Sequence, residues 1–394
     1  MTKSVKKGKT LTFMVAILLF AMIPPYFFWH NIYSSNYAKM LITFAIAVFF
    51  FLNRSKWEWQ EKGLFMLFLA SLILYTITGD NNINFFVYTL PVVFIPFAKD
   101  FFTRNVYVWF SNIYVFIIAI GLVVWLMAMM GLVSSMGTIP PLNELKMYNY
   151  TVYPFMVSIA GESLLRFHGP FDEPGVVGTL SGLMLCIEGF NLKKKKTLIL
   201  LFSGICSLSF FFVIIVSFYT LYSVVFREKS VLKLMLLMAI FFGLYLTINN
   251  VPVLQENLGS RFEWDADESQ LAGDNRINTV ITATYFDHII GTSQLWWGIK
   301  DKQRYLMDVE GSSSIISTII VNGLVFILVY IVFIVLYAIR YKSNNATFAL
   351  FLLVILGTLY QRPQVFNAVY VFLFICFART DRIKNSLSSC HQNV

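Results

Sequence analysis

The sequence predicts an all-α polytopic membrane protein of about 12 transmembrane helices with two long outer loops. Three observations carry this. Hydrophobic residues make up 58% of the 394-residue chain and charged residues only 13%, which excludes an ordinary soluble domain. Apolar runs recur from end to end, each near the ~20 residues that cross a bilayer. The cations are also unevenly distributed between the connections. With spans near 11–29, 37–53, 63–79, 83–98, 106–133, 174–190, 197–207, 208–226, 231–250, 314–339, 346–360 and 363–378, 21 of the 30 Lys and Arg fall on the side of the N-terminus. The acids are skewed the other way, six against 15. This is the positive-inside pattern, so both termini are expected in the cytoplasm. The net charge of +9 is explained by these short connections and does not point to nucleic acid.

Taken in order, the first span follows Lys3, Lys6, Lys7 and Lys9 and contains Pro24-Pro25. It lacks a small-residue cleavage site and reads as a retained helix rather than a signal peptide. Residues 197–226 are long for one helix and short for two, yet both flanks are basic. Ser203, Gly204, Ser207 and Ser209 mark a turn or broken helix there. One tilted helix instead would move everything that follows to the other side. The whole chain reads as one integral membrane domain, residues 1–394, without a soluble domain or repeat. Cys186, Cys206 and Cys376 lie in spans and Cys390 in the tail, so no disulfide is expected.

The polar material is concentrated in two outer segments, near 134–173 and 251–313. The first contains Pro140-Pro141 and Pro154 with Tyr148, Tyr150, Tyr153 and Phe155, and reads as irregular and interfacial. It ends in Arg166-Phe-His-Gly-Pro-Phe-Asp-Glu-Pro-Gly175, which packs an Arg, a His and two carboxylates at the mouth of a span. Pro174 suits the first turn of a helix, and Asp172 and Glu173 then sit at its positive end. Such clustering is expensive beside hydrocarbon unless the groups face water, lipid phosphate or substrate. Arg166 is suited to grip phosphate, and His168, Asp172 or Glu173 to handle a proton. The plainer alternative is a solvated loop with an internal ion pair.

In the second segment, Arg261 opens an acidic run and Gly273-Asp-Asn-Arg276 precedes a helical repeat of Ile277, Val280, Ile281, Thr284, Tyr285 and Ile289. Asp274 or Asn275 would cap that helix. Arg276 and His288 are twelve residues apart and need not share a face, so His288 also fits the polar side of a surface helix. Trp296-Trp297 suit the headgroup level, and Lys300, Lys302 and Arg304 follow. Arg362, in Gln361-Arg-Pro363, falls in a tight outer turn where it asks for an anionic partner, lipid or substrate.

There is no glycine-rich phosphate loop with its Lys and no His-x-x-x-His pair, so neither ATP hydrolysis nor a metal site is expected, and no cofactor is called for. An activated donor outside the cytoplasmic membrane has to arrive on a carrier such as a lipid diphosphate. Arginines stabilise the departing diphosphate, and a carboxylate or imidazole takes the proton of the attacking hydroxyl.

The pattern Arg-x-x-Gly-x-Phe-x-x-Pro over Arg166–Pro174 resembles the signature of the O-antigen polymerase/ligase superfamily, which comprises Wzy-type polymerases and WaaL-type ligases. The Gly-Asp-Asn-Arg276 helix, Gly298, and Ser312-Ser-Ser-Ile-Ile followed by Asn322-Gly-Leu-Val-Phe-Ile resemble its large outer loop and exit helix. Ser207-Leu-Ser209 resembles its Ser-containing helix. The resemblance covers roughly 160–340. It implies a GT-C-like fold and a membrane glycosyltransferase that joins undecaprenyl-diphosphate-linked repeat units on the outer face into O-antigen or a related surface polysaccharide. Arg166 and Arg276 would contact the diphosphate, with Arg304 and Arg362 as further candidates and Asp274, His288 and Arg261 in support. Glu173, Asp172 or His168 would be the base. Ligases carry a His-Asn pair where this chain reads Gly311-Ser-Ser-Ser314, which favours a polymerase. Expected partners are the lipid-linked glycan, the bilayer, a chain-length regulator and a flippase. A ligase with a lipid acceptor, and a lipid-linked-oligosaccharide flippase or transporter, are the alternatives.

Overall fold

The computed structural model describes residues 3–29, 36–55, 58–78, 89–141, 148–230, 264–265, 270–271, 279–299, 301–302, 304–305, 315–342, 344–361 and 365–380, with isolated positions 235, 246, 250 and 255. It is 74% helical with two small sheets. The helices are α1 Lys3–Ala21, α2 Asn36–Leu52, α3 Trp59–Thr78, α4 Asp100–Met129, α5 Pro174–Glu188, α6 Lys195–Cys206, α7 Phe210–Tyr222, α8 Thr279–Ile289, α9 Gln294–Trp297, α10 Ile315–Asn322, α11 Leu324–Tyr341, α12 Asn345–Gln361 and α13 Ala368–Ala378.

Among the described residues, α3, α4 and α11 are long and apolar enough to cross a membrane, and six shorter apolar helices accompany them. A count of twelve spans is therefore not confirmed by these residues, and two local causes are visible. The part of span 83–98 that is described includes a 3-10 helix, Leu90–Phe97, and Pro96 inside it cannot donate a regular helical bond. Span 314–339 is split into α10 and α11 at Gly323, whose φ is 78°. Span 231–250 lies outside the described residues apart from three isolated positions. The fold is also not purely helical. The segment read as irregular holds an antiparallel meander, β1 Gly137–Ile139, β2 Tyr150–Tyr153 and β3 Met156–Ile159. Its registers pair Thr138 with Thr151 and Thr151 with Ser158. Pro154 and Phe155 make the tight turn, Phe155 taking the left-handed conformation at φ 59°. A two-residue ladder, β4 Trp264–Asp265 with β5 Gln270–Leu271, lies in the second outer segment.

Apolar spacing explains the packing. On α4, Phe102, Val106, Phe110, Tyr114, Ile118, Leu122 and Trp125 recur every three or four residues and form its buried stripe. Phe102 of that stripe meets Phe50 of α2, and Phe110 meets Phe372 of α13. Along α3 and α11, Phe68 stacks on Phe333 with ring centroids 4.3 Å apart.

Contacts at the helix ends give the bundle two chemically different poles. At one, Arg379 reaches the Ala98 carbonyl and Asp100, Arg340 pairs with Glu58, Lys342 reaches the Phe377 carbonyl and Lys196 pairs with Glu188. These are the basic connections that the sequence placed together on one side. The other pole carries the C-terminal ends of α1, α3 and α4, the N-terminal end of α5, the α6–α7 break, the meander and α8–α9.

Candidate functional site

The loop from Arg166 to Glu173 sits at this second pole, at the opposite end of α5 from Glu188. Its conformation follows from an alternation of side-chain types. Phe167 and Phe171 are buried, at 0% and 1% exposure, and anchor the loop inward. Phe171 lies parallel to Tyr114 of α4, and Phe167 packs on Trp125. Arg166, Asp172 and Glu173 stay partly exposed, whereas His168 is buried at 6%.

Every turn of the loop is tied to a neighbour by backbone bonds. Trp125 Nε1 donates to the Leu164 carbonyl at 2.7 Å, and Phe167 N donates to Cys206 O at 2.9 Å. Val157 N of β3 donates to Gly169 O at 2.9 Å, and Tyr26 N donates to Pro170 O at 2.8 Å. The Tyr150 hydroxyl of β2 donates to Asp172 O at 2.9 Å. Burial pushes that hydroxyl well above the ordinary phenol range, so it remains a protonated donor. These groups satisfy carbonyls that would otherwise be orphaned next to apolar core.

Two helix ends converge on the charged side chains. Glu173 is the N-cap residue of α5, with extended φ/ψ and Pro174 at the first helical position, as the sequence predicts. The partial positive charge of that end favours the neighbouring carboxylates. At the C-terminal end of α6, Arg166 Nε donates to Ser207 O at 3.4 Å. A cation at a helix C-terminus is favourable in the same way. The predicted break is real: α6 ends at Cys206, Leu208 has φ 46°, and α7 starts at Phe210. Thus the Arg166–Pro174 motif and Ser207-Leu-Ser209 are brought together.

The remaining predicted residues divide into two groups. Arg261, Asp274, Arg276 and Arg362, together with the proposed Asn275 cap, lie outside the described residues. His288 and Arg304 are described and both are exposed. His288 occupies the last turn of α8, the helix that the periodicity predicts, and Arg304 N donates to Asp301 Oδ1 at 3.3 Å. Their segment is docked on the bundle. Ile299 N donates to Ile320 O at 3.0 Å, and buried Lys302 reaches the Thr78 carbonyl at the end of α3. Gly323 leaves no room for a side chain, since a Cβ there would lie 2.7 Å from Gly298 N and overlap the Trp296 carbonyl.

Several positioning residues give no clear signal in the sequence. Tyr150 reads as interfacial, but it is fully buried with Trp29 and holds Asp172. Tyr26, next to Pro24-Pro25, holds Pro170 and the Tyr153 carbonyl. Lys302 belongs to a basic run and does not stand out from it. Chemically, the loop presents a guanidinium and two carboxylates within eight residues, at the pole opposite the basic connections, and the imidazole of His168 is buried beneath them. That set can hold an anion and accept a proton. No protein-family model matches the chain, and neither a curated protein nor a solved structure matches it.

Proposed function

We propose that the chain is a membrane glycosyltransferase acting at the outer face of a bacterial cytoplasmic membrane, as a polymerase of undecaprenyl-diphosphate-linked repeat units. The observation that supports this best is the bond from Arg166 to the α6–α7 break, on a loop that also carries Asp172 and Glu173, at the pole opposite the basic connections. In this reading Arg166 holds the diphosphate, with Arg276 joining it and Arg304 and Arg362 in weaker roles. A sugar hydroxyl of one lipid-linked unit attacks the anomeric carbon of a second lipid-linked chain. The anomeric carbon–oxygen bond to undecaprenyl diphosphate breaks, and the charge that develops on the diphosphate is stabilised by arginine. The hydroxyl proton passes to Glu173, Asp172 or His168. The product is an O-antigen or related surface polysaccharide, and a GT-C-like arrangement belongs to the same proposal.

The phenotype of a gene deletion tests this. A polymerase predicts surface material limited to single repeat units. Long polymer retained on carrier lipid would indicate a ligase instead. Repeat units trapped on the cytoplasmic side would indicate a flippase.

A further inference from the structure

Three helices share a chain of hydroxyls in the apolar core. The Tyr114 hydroxyl of α4 lies 3.1 Å from Ser181 Oγ of α5 and 3.2 Å from Val177 O. Ser181 Oγ lies 3.0 Å from Ser203 Oγ of α6, and Ser203 donates to Leu200 O at 3.0 Å. All three side chains are buried, none above 0% exposure. Each hydroxyl has a single hydrogen. With Ser203 donating to Leu200 O and Tyr114 to Val177 O, Ser181 donates to Ser203, and each of the three hydroxyls has an acceptor for its hydrogen.

Hydroxyls in such surroundings are costly unless paired, and once paired they resist sliding. A shift of α6 by one residue, about 1.5 Å along its axis, would break the Ser181–Ser203 contact. One turn beyond Ser203, the Cys206 and Ser207 carbonyls receive Phe167 N and Arg166 Nε. One turn before Ser181, Gly178 seats against the hydroxyls of Ser207 and Ser209. The register that the hydroxyls fix is thus the register that sets the site.

We propose that Tyr114, Ser181 and Ser203 are positioning residues for Arg166. Through the α6 backbone they set the height of the Cys206 and Ser207 carbonyls, and through those the placement of the guanidinium. The consequence for turnover rests on the glycosyltransferase reading above; the consequence for geometry does not.

The test uses the full chain in nanodiscs with Tyr114→Phe and Ser203→Ala, each of which deletes one oxygen and adds no atom. Amide hydrogen exchange is read at Phe167, bonded to α6, and at Val157, bonded from β3 to Gly169. Exchange at Phe167 should accelerate about tenfold or more while Val157 changes less than about twofold. With a lipid-linked repeat unit as substrate, kcat should fall while KM changes less than about twofold, because Arg166 acts on charge that develops in the transition state. Unchanged exchange at Phe167 in both variants would overturn the proposal. So would equal acceleration at both amides, which marks general loosening. If Phe167 responds selectively but the unsubstituted protein makes no polymer, the positioning stands and the glycosyltransferase reading fails. If the unsubstituted protein makes polymer but Phe167 stays silent in both variants, the glycosyltransferase reading stands and the positioning fails.

Discussion

Gly178 and Ser209 meet so closely that a Cβ on Gly178 would lie 2.6 Å from the Ser209 hydroxyl and overlap its Cβ. That contact locks the mouth of α5 onto the α6–α7 break, and the charged loop is built over it. Gly178→Ala should therefore force the break aside. We expect a loss of about 1–3 kcal/mol, the usual cost of overpacking, read as a lower unfolding temperature in detergent. Gly63 of α3 is the control, with nothing within 4 Å of its added Cβ. Gly63→Ala should leave stability unchanged or raise it by up to about 1 kcal/mol, as for Gly in an exposed helix interior.

At the basic pole, Arg379 is buried and fully engaged. Its Nε donates to the Tyr337 hydroxyl at 2.6 Å, and Nη1 donates to Ala98 O at 2.6 Å and Asp100 Oδ1 at 2.9 Å. Nη2 reaches the Pro96 carbonyl. Arg379→Ala would orphan the Ala98 carbonyl, leave the Pro96 carbonyl with only the Tyr337 hydroxyl and strip Asp100 of its cation, so we expect a loss of about 3 kcal/mol or more, or failure to accumulate folded protein. Asp100 is 39% exposed, so Asp100→Asn should cost about 1 kcal/mol or less. Paired denaturation curves of the two variants check this ordering. Equal losses would mean that the ion pair, rather than the carbonyl set, holds this end.

The paired tryptophans should report membrane depth. Trp296 and Trp297 are 48% and 53% exposed and lie beside the N-terminal end of α11. Interfacial tryptophans sit at the headgroup level. In a variant keeping only these two of the eight tryptophans, lipids brominated near the headgroup should quench emission more than lipids brominated at the chain end. Quenching by aqueous iodide with no lipid effect would place them in water. Gly323→Ala should dislodge the same segment and shift the emission to the red.

Much of this site was legible in the sequence, for identifiable reasons. Pro174 announced the start of α5, the Ser–Gly cluster announced the α6–α7 break, and the period of Val280, Thr284 and Tyr285 announced α8. The meander was not legible because its strands are only three or four residues long, and their aromatics also suit a membrane interface. The split at Gly323 carries a local signal, the turn-favouring pair Asn322-Gly323, but the apolar runs beyond it on either side read as one continuous span. Only its approach to the Trp296 carbonyl and Gly298 explains why the helix breaks there. Tyr150 and Lys302 act through backbone carbonyls distant in sequence, and such long-range pairings leave no local pattern.

Arg166→Lys separates charge from shape. Lysine keeps the charge but loses the planar fork. If the guanidinium grips a diphosphate, Arg166→Lys should lower turnover by about tenfold or more at normal abundance, a loss of at least ~1.4 kcal/mol in transition-state stabilisation. Steady-state rates on lipid-linked substrate give this directly. Turnover equal to the unsubstituted protein would reduce Arg166 to a general positive charge.

The proposed polymerisation of lipid-linked glycan at the Arg166–Glu173 mouth can be tested directly. Purified protein is reconstituted with undecaprenyl-diphosphate-linked repeat units and no nucleotide, and the product is read as a gel ladder. The unsubstituted protein should give a ladder. Arg166→Ala should give none while remaining folded, as judged by an unchanged unfolding temperature. A full ladder from folded Arg166→Ala would remove the site from this mouth, and no ladder from the unsubstituted protein with verified native substrate would remove the activity.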